Sequence, residues 1–339
     1  MVDKKIYLVV DSRHYAGIES HLFHLSQLIK RKKGHPILVF YKDYGEHLLR
    51  QKLKKRGIEC ICLKGTPMSL YQFIKSLNPR DIIHSHGYKA GILCRLFCKL
   101  TGKYCNSTYH AGDTGTGLLA LYTWLDRYTA HLSTNIAVSS SINAWLGNRA
   151  KVLNNFVSPE SLVNKPRNAQ VNIGFVGRLS HEKGPDIFLA CANRLQNFKH
   201  FTFTMFGDGP MRAELEANAT DNVKFKGFCN DMENHWNELD VLMISSRQEG
   251  MPMVAIEAMM RGVTVIATPC GALPDLLSTN RGIVTSNSSV DELISALNQF
   301  IDLNQRQSDE LKLHAHNYVR RFCSGEDQWS FYSKFYGLV

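Results

Sequence analysis

Val241-Leu242-Met243-Ile244-Ser245-Ser246-Arg247-Gln248-Glu249-Gly250-Met251-Pro252-Met253-Val254-Ala255-Ile256-Glu257-Ala258-Met259-Met260 packs a strand, a loop and a helix into one short stretch. Val241–Ile244 is wholly apolar, as a strand buried on both faces must be. Ser245 to Gly250 is small and polar, as a loop at the end of that strand requires. Met253–Met260 reads as a helix, and Pro252 suits its first turn, where the missing N–H costs nothing. The helix N-terminus then presents unpaired backbone N–H groups and a positive dipole end, which favour an anion such as phosphate. Glu249 lies in the loop and Glu257 about one turn into the helix. Two carboxylates so placed offer acceptors for sugar and ribose hydroxyls. The alternative is a helix-end acid and a surface acid with no ligand.

The same strand–loop–helix unit recurs in both directions along the chain. Upstream, Val171–Val176 is a strand followed by the helix Pro185–Leu195, and Thr202–Phe206 and Val223–Phe225 are further strands. Downstream come Val263–Ala267 and Gly282–Val284. The first half repeats the rhythm: strand Lys5–Asp11, helix His21–Lys33 closed by Gly34, strand His35–Tyr41, helix Glu46–Arg56 closed by Gly57, strand Ile58–Leu63, helix Ser69–Leu77, strand Asp81–Ser85. Strands alternating with helices predict parallel sheets covered by helices. The predicted fold class is α/β, with two doubly wound Rossmann-like domains facing a central cleft. Residues 1–155 form the first domain, 156–170 a linker containing Pro159 and Pro166, and 171–322 the second domain. Residues 323–339, rich in aromatics, form a crossover helix returning to the first. Ligands in such sheets bind beyond the carboxyl ends of the strands.

Two other loops occupy such ends. Gly177-Arg178-Leu179-Ser180-His181-Glu182-Lys183-Gly184 follows Val176. Its glycine allows close backbone approach, Arg178 suits bidentate contact with phosphate oxygens, and Lys183 adds a mobile point charge. Gly207-Asp208-Gly209-Pro210 follows Phe206 but lacks the third glycine of a dinucleotide fingerprint. The first strand leads into Asp11-Ser12-Arg13-His14-Tyr15-Ala16-Gly17, not into GxGxxG. A dehydrogenase is therefore disfavoured.

Charge is unevenly divided among the 339 residues, which carry +10 net. Residues 1–150 hold 22 Lys and Arg against 9 Asp and Glu, whereas residues 151–339 hold 18 against 21. Lys30-Arg31-Lys32-Lys33 and Lys52-Leu53-Lys54-Lys55-Arg56 dominate the basic half. They read as solvated helix ends or as contacts to an anionic membrane surface, where clustered Lys and Arg each gain about 1 kcal/mol. No recognition helix, RNP-like strand or zinc finger supports nucleic acid as a partner. Nine irregularly spaced cysteines make no disulfide framework. Cys60 with Cys62 and Cys94 with Cys98 read as small core residues. No apolar run reaches the roughly 18 residues needed to cross a bilayer. MVDKKIYLVV enters a strand directly, without the h-region and cleavage site of a signal peptide. A cytoplasmic protein, possible at the inner membrane surface as a peripheral one, is expected.

Taken together, these loops resemble the GT-B glycosyltransferases of family 4, the retaining glycosyl transferases group 1, over nearly the whole chain. The resemblance is carried by Phe175-Val176-Gly177-Arg178 with Glu182-Lys183-Gly184, by Gly207-Asp208-Gly209-Pro210 and by Val223-Lys224-Phe225-Lys226-Gly227. Glu249 and Glu257, with seven residues between them, match the family's E-x7-E motif. Gly262-Val263-Thr264-Val265-Ile266-Ala267 and Gly271 with Pro274-Asp275 continue the series. In the first half, Tyr15-Ala16-Gly17-Ile18-Glu19 resembles the GGxE loop with Ala16 in place of its first glycine. Asp81-Ile82-Ile83-His84-Ser85-His86 resembles the D-x-I-H-x-H segment, and Tyr109-His110-Ala111-Gly112 the HG loop with Ala111 inserted.

The resemblance implies a GT-B fold and a retaining hexosyltransferase. Arg178 and Lys183 would bind the donor diphosphate, Glu249 the transferred sugar and Glu257 the ribose. Backbone amides near Gly250, Met251, Met253 and Val254 would cap the phosphates, while Gly17, Gly177 and Gly207 would line the donor. His110 would contact the sugar near the reacting carbon, so the catalytic set is His110, Glu249, Arg178 and Lys183. No metal or other cofactor is implied beyond the UDP-, GDP- or ADP-sugar itself. His84 and His86 alone are two ligands without a third. The implied acceptor is a glycan or lipid-linked glycan of lipopolysaccharide, O-antigen or capsule assembly, docked by the basic first domain; the apolar run Gly117–Trp124 reads either as an ordinary core helix or as a segment that helps dock it. A GT-B sugar-nucleotide epimerase and a non-catalytic sugar-nucleotide-binding subunit are the rival readings.

Overall fold

A computed structural model describes residues 4–110, 117–162, 170–229 and 232–338. The chain divides into two compact units: Met1–Ser158 with Gly325–Val339, and Pro159–Ser324. Each is a parallel sheet covered by helices.

The first unit holds β1 (Lys5–Val10), β2 (His35–Phe40), β3 (Glu59–Cys62), β4 (Ile82–His86), β5 (Cys105–Tyr109), β6 (Thr134–Ala137) and β7 (Lys151–Val152). Their order across the sheet is β3-β2-β1-β4-β5-β6-β7, with every pairing parallel. The second unit holds β8 (Val171–Val176), β9 (Phe201–Phe206), β10 (Val223–Gly227), β11 (Val241–Ile244), β12 (Thr264–Ala267) and β13 (Ile283–Val284), ordered β10-β9-β8-β11-β12-β13 and again parallel. In each sheet the chain winds outward, returns, and winds the other way. The reversal falls between β1 and β4 in one unit and between β8 and β11 in the other. Loops at such a reversal diverge to opposite faces and leave a crevice at the strand ends. The Gly17, Lys183 and Glu249 loops all follow one of these four strands.

The cores follow the strand pattern. Ile6, Leu8, Val9 and Val10 are buried on both faces of the sheet, which continuous apolar strands require. Phe188 packs edge-on against Phe203 beneath the second sheet, with centroids 5.7 Å apart. The helix Glu326–Phe335 belongs to the first unit, where Tyr332 and Tyr336 are buried and the Tyr336 hydroxyl lies 2.8 Å from His84 Nδ1. Among the described residues, no helix is long and apolar enough to cross a membrane.

Three local readings need correction. The left-handed residue closing the first helix is Lys33, at φ 62°, not Gly34. Gly34 is still needed there, because a Cβ would meet Ile29 Cγ2 at 2.7 Å. Cys94 and Cys98 are buried core residues, but Cys60 and Cys62 are only half-buried at the end of the sheet; all nine cysteines are free thiols. The first basic cluster is largely engaged within its own unit. Lys30 donates to the carbonyls of Arg56 and Gly57, and Arg31 and Lys32 both pair with Glu326.

Candidate functional site

In the second unit, three strand-end loops are drawn together by backbone contacts that leave no room for side chains. Gly207 follows β9 at φ 152°, and a Cβ there would fall 1.8 Å from the carbonyl oxygen of Gly177, which follows β8. Gly184 sits at φ 63°, where a Cβ would fall 2.0 Å from the Ser245 carbonyl oxygen. Only glycine accepts both the dihedral and the approach. Hydrogen bonds complete the seam: Gly177 N–H donates to Phe206 O, Leu179 N–H to Asp208 O, Arg247 N–H to Glu182 O and Ser245 Oγ to Gly184 O. Arg247 also grips Asp186 with both guanidinium nitrogens, at 2.8 and 2.6 Å.

Lys183 ends the one-turn 3-10 segment His181–Lys183, and its ammonium donates to both carboxylate oxygens of Glu249, each at 2.8 Å. Ser246 Oγ donates to the same carboxylate at 2.7 Å. The Glu249 side chain is 7% exposed and that of Lys183 33%, so the acid is held inside and the base reaches solvent. An ammonium has three N–H groups and these bonds use two. A carboxylate has about four lone-pair sites and the three bonds leave one. The pair therefore keeps a donor for an anion and an acceptor for a hydroxyl. Arg178 is exposed on the same loop. Burial alone would raise the Glu182 carboxyl, but the Ser180 hydroxyl, with Arg178 and Lys183, holds it below its ordinary range.

The helix Met253–Met260 begins where the sequence places it, but Pro252 is its N-cap, at φ −70° and ψ 121°, not a residue of its first turn. A proline serves there because that slot contributes a carbonyl, which accepts from Ala255 N–H. The N–H groups of Met253 and Val254 precede the first intrahelical bond, as those of a helix start do. Met251 and Met253 side chains are buried and anchor the turn; Gly250 O accepts from Ala272 N–H. Glu257 is half-buried on the helix.

Gly17 and His110 belong to the first unit. Gly17 starts the helix Gly17–Arg31, and a Cβ on it would meet nothing within 4 Å. Its smallness is not a packing need of this unit. The Ala16 that precedes it is the N-cap, and its N–H donates to Glu19 at 2.8 Å. Burial raises the Glu19 carboxyl above its ordinary range. Ala111 and Gly112 of the His110 loop lie outside the described residues.

His110 follows β5 and belongs to a cluster of imidazoles that the sequence does not reveal. Its Nε2 lies 3.0 Å from Nδ1 of His86, and its ring is 4.8 Å from that of His21, on the first helix. His84, two residues before His86, hydrogen-bonds Thr108 and Tyr336. Among the described residues, Nε2 of His86 is buried without a hydrogen-bond partner, and Asn155 is the side chain that hydrogen-bonds His21. Burial pushes all four histidines below their ordinary range, His21 to about 4, so the cluster is neutral. His21, His86 and His110 are the one group among the described residues whose ligand atoms approach a metal arrangement, lying within 4.8 Å of one another. Ligands about 2.0–2.1 Å from a tetrahedral zinc stand only ~3.3 Å apart. The rings would have to turn inward to hold an ion.

Residues 170–302 match the family profile of glycosyl transferases group 1. An uncharacterized 41.2 kDa protein in the cps region of Klebsiella pneumoniae is 31% identical over 237 residues, which are 60% of this chain and 65% of that protein. The UDP-Gal:alpha-D-GlcNAc-diphosphoundecaprenol alpha-1,3-galactosyltransferase of Escherichia coli is 25% identical over 285 residues, 73% of each chain. The first curated relatives are matched over only 28–65% of their own lengths. Among solved structures, Anabaena Alr3699/HepE in complex with UDP and glucose superposes with a TM-score of 0.81 at 17% identity, covering 97% of this chain and all of the other. The last likeness establishes a GT-B fold.

Proposed function

We propose that the chain is a retaining glycosyltransferase, a reading supported by the match of residues 170–302 to the profile of glycosyl transferases group 1. It moves a hexose from a nucleoside diphosphate sugar to a hydroxyl of a lipid-linked glycan during surface-polysaccharide assembly. The observation that carries this reading is the Lys183–Glu249 pair beside the N-terminus of Met253–Met260. It joins a cation and helix N–H groups for a diphosphate to a carboxylate for a sugar hydroxyl. The relative that acts on a diphosphoundecaprenol-linked sugar supports a lipid-linked acceptor.

In this mechanism Arg178, Lys183 and the N–H groups of Met253 and Val254 stabilise the negative charge that grows on the departing diphosphate. Such preorganised donors supply most of the barrier lowering when the leaving group is an anion. Glu249 accepts from hydroxyls of the transferred sugar, and Glu257 from the ribose. The bond from the anomeric carbon to the phosphate oxygen breaks, the bond to the acceptor oxygen forms on the same face, and the acceptor proton passes to the leaving phosphate. No side chain need act as a base. His110, neutral in its cluster, contacts the sugar as a hydrogen-bonding group.

The test is to incubate the protein with UDP-, GDP- and ADP-sugars, with and without a lipid extract of membranes. Release of nucleoside diphosphate only when the extract is present supports transfer. Conversion of the donor without acceptor would mean an epimerase, and no turnover with no stabilisation by any nucleotide would mean no enzyme.

A further inference from the structure

His86 stands where an apolar ring would pack better. It ends β4, is fully buried, and its ring is walled in by His84, His110 and His21, at centroid distances of 4.3, 5.4 and 5.6 Å. His84 is itself held by hydrogen bonds to Thr108 and Tyr336, so that wall does not turn aside. Nδ1 of His86 lies 3.0 Å from Nε2 of His110, but among the described residues its own Nε2 has no hydrogen-bond partner. A buried polar atom without a partner is destabilising, and phenylalanine would fill much the same space without one. Packing therefore does not account for an imidazole here. The contact with His110 does.

A neutral imidazole has one N–H and one bare nitrogen. Burial keeps both rings neutral, so a single proton lies between His86 Nδ1 and His110 Nε2. It can be placed in two ways. On His110 Nε2, it forces the proton of His86 onto that ring's Nε2, as an orphaned buried N–H. On His86 Nδ1, it leaves a bare ring nitrogen, an acceptor, as the unpartnered atom. Orphaned buried donors are rarer in proteins than under-used acceptors. The second arrangement sets the state of His110 completely: Nε2 accepts from His86, and the proton of His110 stands on Nδ1. Among the described residues, that Nδ1 has no partner within the protein. The ring lines a cavity with Ile18, Gly87 and Thr108, at the carboxyl ends of β4 and β5 and beside the start of the helix Gly17–Arg31. Ligands of such sheets bind at that end.

We propose that His86 is a positioning residue: its Nδ1–H holds the His110 ring by Nε2, and so fixes Nδ1–H of His110 as the group offered to a hydroxyl oxygen of the transferred sugar. The inference rests on the reading of His110 as a sugar contact. It gives that contact a direction, because a ring in this state donates at Nδ1 and cannot accept there. His86 itself touches no substrate.

Nitrogen-15 labelling of the histidines in the full chain shows which ring nitrogen carries the proton, and the His110 signal is identified by its loss in His110→Asn. The wild type should show the proton on Nδ1 of His110. His86→Phe should unfold at the wild-type temperature or above and keep the wild-type stabilisation by UDP, GDP or ADP. Its kcat should fall about tenfold or more, while KM for the nucleotide sugar moves less than about threefold. His86→Asn, whose amide N–H can stand where Nδ1–H stood, should recover most of that loss. A residue kept for packing alone would give the reverse in His86→Phe: a lower unfolding temperature and unchanged turnover per folded molecule. A wild-type proton on Nε2 of His110 overturns the proposal, and so does a folded His86→Phe protein with wild-type kcat. Should His86→Phe not fold, the wild-type spectrum decides alone. A wild type with the Nδ1 proton on His110, lost in His86→Phe, that turns over no UDP-, GDP- or ADP-sugar sinks the transfer reading and leaves the positioning intact. Turnover with the proton on Nε2 sinks the positioning alone.

Discussion

Lys183 Nζ stands 2.8 Å from both carboxylate oxygens of Glu249, across a gap of 66 residues in the chain. The pair fastens the loop after β8 to the loop after β11. Removing the lysine strands an acid that is 7% exposed. Lys183→Ala should cost about 1–3 kcal/mol, the range for a buried group left unsatisfied. Ser246 keeps one bond to Glu249, which favours the lower part of that range. Lys183→Ala combined with Glu249→Gln should cost less than the two changes added together. Thermal unfolding of the four proteins in the cycle measures this, and simple additivity would mean that the contact contributes nothing.

Two glycines should behave in opposite ways. Gly207→Ala puts a Cβ 1.8 Å from a backbone oxygen that cannot turn aside. The second unit should lose about 2 kcal/mol or more. Gly17→Ala meets nothing within 4 Å, so its unfolding temperature should stay at the wild-type value. If Gly17 is small to admit the donor, turnover should still fall about tenfold or more. Parallel melting curves and donor titrations separate the two cases. Full activity in Gly17→Ala would remove that residue from the site.

The imidazole cluster makes the first unit acid-sensitive. A buried histidine whose folded pKa is lowered stays neutral while its unfolded counterpart takes up a proton. Stability is then full above the ordinary value of about 6.5 and is lost as pH falls toward the folded value. For His21 that window runs down to about 4. Each such histidine contributes about 1.4 kcal/mol per pH unit inside its window. Unfolding temperature should drop steeply between pH 6.5 and 5, and His21→Leu should flatten the slope. A slope unchanged in that variant would contradict the assignment.

Chelation should leave turnover intact. In the proposed mechanism Arg178, Lys183 and the helix start supply the positive charge that a divalent ion would otherwise bring to the diphosphate, and the His21, His86 and His110 ligand atoms, within 4.8 Å of one another, belong to the other unit. Activity measured after exhaustive EDTA dialysis, with and without added Mg²⁺ or Zn²⁺, should be the same within about twofold. A loss restored by one metal would overturn this.

Much of this was legible in the sequence because apolar runs and strand-end loops are local signals. Val171–Val176 and Val241–Ile244 fall on their predicted bounds, and the second, buried throughout, has no polar residue to blur its ends. The loops carrying Lys183, Gly207 and Glu249 follow as predicted. What stayed hidden depends on distant partners. Ser246 as the second anchor of Glu249 had only its position to mark it. His21 reads as one more residue of an amphipathic helix until β4 and β5 bring His86 and His110 beside it. The run Gly117–Trp124 is legible as apolar, but the burial of Asp126 in the same helix depends on Arg95, 31 residues away.

The central claim is that the Glu249 carboxylate works on the donor sugar. Its most direct test is the turnover of Glu249→Gln, a change that keeps the side chain's shape and one carbonyl oxygen but removes the charge facing Lys183. In a Glu249→Gln protein that is folded at the assay temperature and still binds nucleotide, acceptor-dependent release of nucleoside diphosphate should fall about a hundredfold or more. Wild-type turnover in a folded, nucleotide-binding Glu249→Gln protein would contradict the account.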